Sequence, residues 1–186
     1  MKQNTMAVTQ IPEPPISRFL FADTRLSLVW LVLRIYVGWE WLQAGYEKVT
    51  SPMWVGPKAG TALQGFLMGA IKKAAGEHPA VSGWYASFLH GTVLPHAALF
   101  SNMVAYGELL VGVALTLGLF TGIAAFFGGF MNMNYLFAGT VSTNPLLFLI
   151  QLFLILAWRV AGWYGLDRYI LPLLGTPWDK GKLFKK

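Results

Sequence analysis

Apolar residues dominate four long segments of the chain, and each segment is long enough to cross a bilayer as a helix. A hydrocarbon core of about 30 Å requires roughly 20 residues of helix. Gly118, Gly122, Gly162 and the Asn144-Pro145 pair stand at the ends of these segments, where helices commonly stop or start. The predicted spans are residues 26 to about 48, about 99 to 119, 121 to about 139, and 145 to about 163.

The stretch between the first two spans, residues 50–96, has the pattern of an amphipathic helix. Its apolar residues recur at i, i+3 and i+4, and Lys72 and Lys73 lie on the other side. A second short amphipathic piece follows at 84–89, and Trp54, Trp84 and Tyr85 are expected at the headgroup level. We expect this loop to cover the outer mouth of the bundle. The apolar positions of the longer helix are Leu63, Phe66, Leu67, Ala70, Ile71 and Ala74.

These patterns predict an all-α fold, a polytopic membrane four-helix bundle with an amphipathic extracytoplasmic loop, because helices satisfy their own backbone hydrogen bonds in lipid. Residues 1–25 are expected to form a flexible cytoplasmic N-terminal tail. Residues 26–165 form the four-helix transmembrane domain, with its extracytoplasmic loop at 50–96. Residues 166–186 are expected to form an interfacial turn and a basic cytoplasmic tail.

The composition agrees with a membrane protein, since 55% of the 186 residues are hydrophobic and only 12% are charged. Soluble domains usually carry about 25% charged residues. The chain has no cysteine, which excludes disulfides, thiolate catalysis and iron–sulfur ligation by this chain. The net charge of +6 is spread over several loops, so it indicates topology and predicts no nucleic-acid partner.

The distribution of lysine and arginine predicts the orientation in the membrane. Cytoplasmic loops of membrane proteins are enriched in these residues. We therefore expect a multi-pass protein of the cytoplasmic (inner) membrane, with the N-terminus and the C-terminus both cytoplasmic and the basic tail near anionic lipid. The inner side would hold Lys2, Arg18, Arg25, Arg168, Lys180, Lys182, Lys185 and Lys186, and the outer side Lys48, Lys58, Lys72 and Lys73.

The first predicted span carries charged residues on two of its faces. At 100° per residue, Arg34 shares one face with Gly38, Trp41, Gly45 and Lys48. Small residues allow close helix packing, so this face is expected to be a packing seam within the bundle. The other polar residues of the span form a second face, which consists of Tyr36, Glu40, Gln43 and Glu47.

Polar residues from all four spans fall at comparable depths, at a rise of about 1.5 Å per residue. Buried ionisable groups in membranes are costly and often functional, so Glu40 and Glu108 are expected to line one polar cavity. The side chains of Asn132, Asn134 and Gln151 could bind a ligand or could form hydrogen bonds between helices. Arg34 and Arg159 lie in the inner half, where Arg159 could also snorkel. The spacings of His78, His90 and His96 match no zinc pattern, so no metal site is predicted. The outer layer contains Glu40, Glu47, Glu108, Asn132, Asn134 and Gln151.

Three stretches resemble the DoxX-like family of small four-helix membrane proteins, which includes the small membrane subunit of thiosulfate:quinone oxidoreductase. They are "LRIYVGWEWLQAGYEKV", "GELLVGVALTLGLFTGIAAFFGGFMNMNYLFAG" and "GWYGLDRYI". The most specific pieces are the R-x3-G-x6-G-x2-K pattern from Arg34 to Lys48, the opening of the second span from Gly107 to Gly112, and the closing Gly165-Leu166-Asp167-Arg168. The resemblance covers nearly the whole chain after the N-terminal tail.

The resemblance implies oxidation of small sulfur compounds with electrons passed to quinone. Quinone would then be the cofactor. The sequence itself indicates no haem, flavin or metal. In a quinone-linked oxidoreductase or its membrane subunit, Glu40 or Glu108 would pass protons and Arg34 would stabilise a reduced anion as catalytic residues. Two alternatives stay open: a non-catalytic scaffold that assembles with a partner subunit or as a homo-oligomer, and a transport protein for small solutes or lipid. The ligand-binding candidates are Lys48, Glu47, Asn132, Asn134, Gln151 and Arg159.

Overall fold

The structure is a computed structural model that describes residues 13–175, and within this range it is helical with no strand. The all-α prediction is confirmed. Short 3-10 helices at Thr24–Leu26, Leu94–His96 and Leu171–Leu174 and a π-helical turn at Leu89–Val93 join the α-helices. The α-helices are α1 (Pro15–Ala22), α2 (Ser27–Val49), α3 (Thr61–Lys72), α4 (Gly83–Phe88), α5 (Ala97–Leu117), α6 (Thr121–Phe137), α7 (Asn144–Leu156), α8 (Trp158–Ala161) and α9 (Asp167–Ile170).

The four long helices α2, α5, α6 and α7 pack in sequence around a shared core. Helix α2 lies mainly against α5, α5 touches α6, α6 lies mainly against α7, and α7 returns to α2. The core between them is apolar and fully buried at Val37, Leu115 and Leu154. Burying a large aliphatic side chain contributes about 1.5–3 kcal/mol, so these contacts hold the arrangement together.

The long helices begin and end near the predicted limits, with one exception. Gly118 ends α5 in the left-handed conformation, at φ 65°, a position that favours glycine. The fourth predicted span is divided, because α7 stops after 13 residues and Ala157 leaves the helical region. By length and composition, Gly83–Leu117 is the one described helical stretch that could cross a membrane, and Asn144–Leu156 is a shorter apolar helix.

The predicted amphipathic helix of the 50–96 loop is confirmed as α3. Its apolar side is buried at Leu63, Leu67 and Ala70, where it forms a second core with α4 and the following π turn. Tyr85 is buried within this second core, because its ring packs on Phe137 and its hydroxyl donates to Asn134. Its expected position at the headgroup level stays a prediction.

Part of the predicted N-terminal tail is structured. Helix α1 begins at Pro15, and proline is well suited to the first turn of a helix. Phe21 at its end stacks on Phe153 and packs beside Trp30, whose indole donates to the Leu20 carbonyl at 2.9 Å. The expectation of a flexible tail is therefore wrong for this segment. Residues 1–12 and 176–186, with Lys2, Lys180, Lys182, Lys185 and Lys186, lie outside the described residues.

Candidate functional site

Helices α2 and α5 approach each other so closely that glycine is required at the contact. A methyl group on Gly45 would collide with the Leu109 backbone, and one on Gly112 would collide with the Leu42 backbone. The two helices run antiparallel, and the end of α2 meets the middle of α5. The prediction that the glycine face of α2 packs within the bundle is confirmed. This close approach brings Lys48 to Glu108.

Lys48, Glu108 and Tyr135 form the principal ionisable group of the structure, called here the Glu108 triad. The Lys48 ammonium lies 2.6 Å from Glu108 Oε2, and the Tyr135 hydroxyl donates to Glu108 Oε1. The side chain of Glu108 is 1% exposed, whereas that of Lys48 is 21% exposed. The carboxylate is therefore buried but joined to the surface through its lysine partner.

Aromatic side chains enclose the triad on several sides. The Lys48 ammonium lies 5.2 Å from the centre of the Trp54 ring, and the Ser101 hydroxyl holds Trp54 in place by donating to its carbonyl at 2.7 Å. The rings of Phe66 and Tyr135 are nearly perpendicular with centres 6.2 Å apart, and Trp41 stacks on Tyr135. The 50–96 loop thus supplies two walls of the site, Trp54 and Phe66.

The triad has the groups needed for acid–base chemistry on an oxygen-containing ligand. A buried carboxylate is stabilised by a paired cation and by a hydroxyl donor, and the loss of either changes its affinity for a proton. The Lys48 ammonium and the Tyr135 hydroxyl are both donors to an oxygen atom, while the Glu108 carboxylate is an acceptor. Donors and an acceptor of this kind on one cluster can bind a carbonyl or hydroxyl and exchange a proton with it.

A second polar cluster lies deeper, between α6 and α7. The side-chain amides of Asn132 and Gln151 meet at 2.6 Å, and both residues are fully buried. With its amide oxygen turned toward α2, Gln151 accepts from Trp41 Nε1 at 2.7 Å. Hydrogen bonds between helices, the alternative for these amides, join the two side chains and leave Asn132 Oδ1 without a partner in the described part of the chain. Asn134 is similarly occupied, since the Tyr85 hydroxyl donates to its side-chain oxygen at 3.0 Å.

The opposite end of α2 is tied to the turn between α5 and α6. Arg34 is buried and donates to the carbonyls of Leu115 at 2.5 Å and Tyr164 at 3.0 Å. Asp167 is also buried, and its carboxylate accepts from the backbone N–H groups of Phe120 at 2.5 Å and Thr121 at 2.9 Å. We call Arg34, Asp167 and this turn, residues 118–121, the turn cluster. It satisfies the carbonyl end of α5 and the N–H end of α6, which helices leave unpaired.

Comparison with known families gives a result that agrees with this geometry. A sequence profile of the DoxX family matches residues 29–140, which is more than half of the chain. The chain belongs to the DoxX family. DoxX proteins are membrane-associated, so this chain is assigned to a family of membrane proteins. No curated protein and no solved structure matches the chain.

The DoxX match covers the whole Glu108 triad and Arg34, whereas Gln151, Arg159 and Asp167 lie beyond it.

The structure does not bring Glu40 to Glu108. Glu40 is half-buried on the outward flank of α2 and makes no side-chain hydrogen bond or ion pair within residues 13–175. The expectation that these two carboxylates line one cavity receives no support from the described contacts.

The remaining candidates of this DoxX-family chain are also separated from the triad. Glu47 is exposed. Arg159 forms an ion pair with Glu13 at 2.7 Å, with about 40% of each side chain exposed. The hydrogen bond from Arg159 lowers the pKa of the Glu13 carboxyl. Arg34 lies 14 residues before Lys48 on α2, a distance of about 21 Å along the helix. Its contacts are with backbone carbonyls, as expected for a structural role.

Sequence reasoning missed Tyr135 and Asp167. Tyr135 follows Asn134 in a strongly aromatic helix, where a phenol does not stand out from packing residues. Asp167 could have been found, because it is an aspartate within the family-like motif Gly165-Leu166-Asp167-Arg168 and ends up fully buried. An aspartate just after the last apolar segment of a membrane protein reads most simply as an exposed loop residue.

Proposed function

We propose that this DoxX-family chain is a multi-pass protein of the cytoplasmic membrane that binds the polar head of a small ligand at the Glu108 triad and exchanges protons with it. The observation that carries the proposal is the buried Glu108 carboxylate between the Lys48 ammonium and the Tyr135 hydroxyl. This is an acid–base group within an apolar bundle, with access through the partly exposed Lys48. Quinone is the ligand that we propose, as the electron acceptor of an oxidoreductase or its membrane subunit acting on small sulfur compounds.

Apolar side chains on the outside of the long helices support insertion in a membrane. Leu110 on α5, Phe126 and Phe130 on α6 and Leu149 on α7 are each at least half exposed. Soluble monomers rarely expose large contiguous apolar patches, and lipid is the medium that would cover such a surface. Membrane lipid is therefore a partner in this proposal, and α2, α5, α6 and the α7–α8 segment are the proposed spans.

Labelling of Lys73→Cys tests the proposed orientation. The asymmetry of lysine and arginine places both termini in the cytoplasm and the α3 loop outside. Lys73 is exposed at the end of that loop helix, so a membrane-impermeant thiol reagent added to intact cells should label the cysteine. The native chain has no cysteine, so it provides an unlabelled control. Labelling only after the membrane is permeabilised would place the α3 loop in the cytoplasm and contradict the proposed orientation.

In the proposed mechanism, Lys48 and Tyr135 would donate hydrogen bonds to a quinone carbonyl, and the bound quinone would accept electrons that come from the small sulfur compound as it is oxidised. Placing the developing negative charge beside an ammonium in an apolar site stabilises the reduced form. The Glu108 carboxylate would then relay protons between the ligand and the surface that Lys48 reaches. Trp54 and Phe66 of the loop would cover the ring and limit access of water.

Replacing Glu108 by glutamine should weaken binding of a short-chain benzoquinone by roughly 10-fold to 100-fold. The carboxylate holds Lys48 and Tyr135, the proposed donors to the quinone carbonyl, in place, and a hydrogen bond to a charged group contributes about 1.5–3 kcal/mol. Glutamine keeps the shape of the side chain but leaves Lys48 without its buried anion. The measurement is a titration of tryptophan fluorescence with the full chain in lipid nanodiscs.

Glu77→Gln is the control for this titration, because Glu77 is an exposed loop carboxylate. The control should bind the quinone as the native chain does. Equal affinity in Glu108→Gln and the native chain, with both variants folded, would remove the Glu108 triad from the ligand site.

A non-catalytic scaffold is the second candidate function, and the Asn132–Gln151 pair favours it. That pair joins two buried amides by a hydrogen bond between helices, which is a structural use of these side chains. A scaffold in which the Glu108 triad is also purely structural predicts no quinone binding by the native chain. The same titration therefore separates the two functions.

A further inference from the structure

The second polar face of α2 is directed away from the bundle. Tyr36 is 37% exposed, Gln43 and Glu47 are exposed, and Glu40 is half-buried. None of these side chains makes a hydrogen bond or ion pair with another residue of the 13–175 range. We call Tyr36, Glu40, Gln43 and Glu47 the α2 stripe, since they follow one another at intervals of three and four residues.

The depth of the α2 stripe makes its exposure costly. Glu40 is the fourteenth residue of a 23-residue helix, about 20 Å from its start and about 14 Å from its end. Its outward neighbours are apolar, with Val32 and Trp39 more than half exposed. If α2 spans a bilayer, as the proposed function holds, Glu40 and Gln43 lie within hydrocarbon. Ionisable groups at such depth normally face protein or a water-filled cavity.

We propose that the α2 stripe docks a membrane-spanning helix of another protein, and that this helix carries a lysine or arginine at the depth of Glu40. This inference rests on the membrane insertion stated in the proposed function, but not on its ligand. A cation from the partner would neutralise the Glu40 carboxylate, and Gln43 would supply amide hydrogen bonds beside it. The apolar residues on either side of the stripe would pack on the partner helix.

Charge complementarity argues against a second copy of this chain as the occupant. A two-fold contact would bring together the same patch of both copies. The stripe contains two glutamates and no basic residue, so a second copy would supply no cation for Glu40. Within the described helices, no exposed cation at the depth of Glu40 is free to pair with it. Arg34 is buried against backbone carbonyls, and Lys48 is paired with Glu108. A cation that pairs with Glu40 would therefore belong to a different chain.

The test uses a synthetic membrane-spanning peptide of leucine and alanine with one central lysine, and a control peptide with leucine at that position. Energy transfer between the labelled peptide and the full chain is measured in phosphatidylcholine vesicles. The lysine peptide should associate roughly tenfold more tightly than the leucine peptide. The double variant Glu40→Gln with Gln43→Leu should remove this preference, and Glu77→Gln should keep it.

Equal association of the two peptides with the inserted native chain would overturn the proposal, as would a lysine preference that survives in the double variant. Native mass spectrometry of the chain alone tests whether a second copy of this chain occupies the stripe. A dimer that is lost in the double variant would assign the stripe to a second copy and also overturn the proposal. Flotation of the native chain with the vesicles tests membrane insertion separately. A chain that does not float contradicts both the proposed function and the docking of a partner helix. A chain that floats but shows no preference for the lysine peptide contradicts only the docking proposal.

Discussion

Asp167→Ala should lower the free energy of unfolding by about 3–5 kcal/mol, the range found when one member of a buried charged network is removed. The carboxylate accepts from the N–H groups of Phe120 and Thr121 at the start of α6. Without it, one buried N–H group and one partly buried N–H group lose their partner. A buried unsatisfied group costs about 1–3 kcal/mol. Arg34, which interacts electrostatically with Asp167, would also lose its nearby negative charge.

Thermal unfolding of the full chain in detergent micelles measures this effect. Asp167→Asn is the second variant to measure. Its single side-chain oxygen can replace only one of the two carboxylate oxygens that accept from Phe120 and Thr121, and its NH₂ group adds a donor. We expect it to unfold at a temperature between those of the native chain and Asp167→Ala. Asp23→Ala is the matched control, since Asp23 caps an exposed 3-10 turn and pairs with Arg25 at the surface. An Asp167→Ala variant as stable as this control would mean that the turn cluster does not stabilise the fold.

Gly45→Leu should prevent the native packing of α2 on α5. A first side-chain carbon at this position already collides with the Leu109 backbone, and a backbone contact cannot be relieved by a change of rotamer. Overpacking in a close-packed core typically costs about 1–3 kcal/mol, and displacement of a whole helix adds to that. The separation of α2 from α5 would also pull Lys48 from Glu108, so we expect loss of both stability and quinone binding.

Gly69→Leu is the matched control for this substitution. Gly69 also lies within a helix, α3, but a side-chain carbon there meets open space. Both variants replace a helical glycine by leucine and so share the gain in helix propensity. Melting temperatures in detergent should fall sharply for Gly45→Leu and stay equal or rise for Gly69→Leu. Similar melting temperatures for the two variants would mean that the α2 face with Gly45 contacts lipid or detergent and not α5.

The helices could be predicted because their signals are local. Apolar periodicity located α3 within the loop. The face with Arg34, Gly38 and Gly45 predicted a packing seam, since small residues at helical spacing allow close contact, and the structure shows that its partner is α5. The division of α7 from α8 at Ala157 was not predicted, because the apolar run from 145 to 163 continues through it. No proline or glycine marks that break.

The composition of the site could be predicted only in part. Glu40 and Glu108 have similar depths, but depth does not determine which side of a helix faces the bundle. The glycine seam turns Lys48 toward Glu108 and leaves Glu40 on the outward flank. Tyr135 joins the triad through the packing of α6 on α5. The sequence pattern of a single helix does not predict a contact between side chains of two helices. Lys48 and Glu108 were candidates because they are ionisable residues in apolar segments.

Photolabelling with an azido-benzoquinone tests most directly whether the Glu108 triad is the ligand site. The full chain in lipid nanodiscs would be irradiated with the probe, and the labelled residues would be identified by mass spectrometry. We expect labelling at the walls of the triad, on Trp54, Phe66 or Tyr135. Unlabelled quinone should compete with this labelling, and Glu108→Gln should weaken it. Labelling confined to outward residues such as Phe126 and Phe130, unaffected by competitor and by Glu108→Gln, would contradict it.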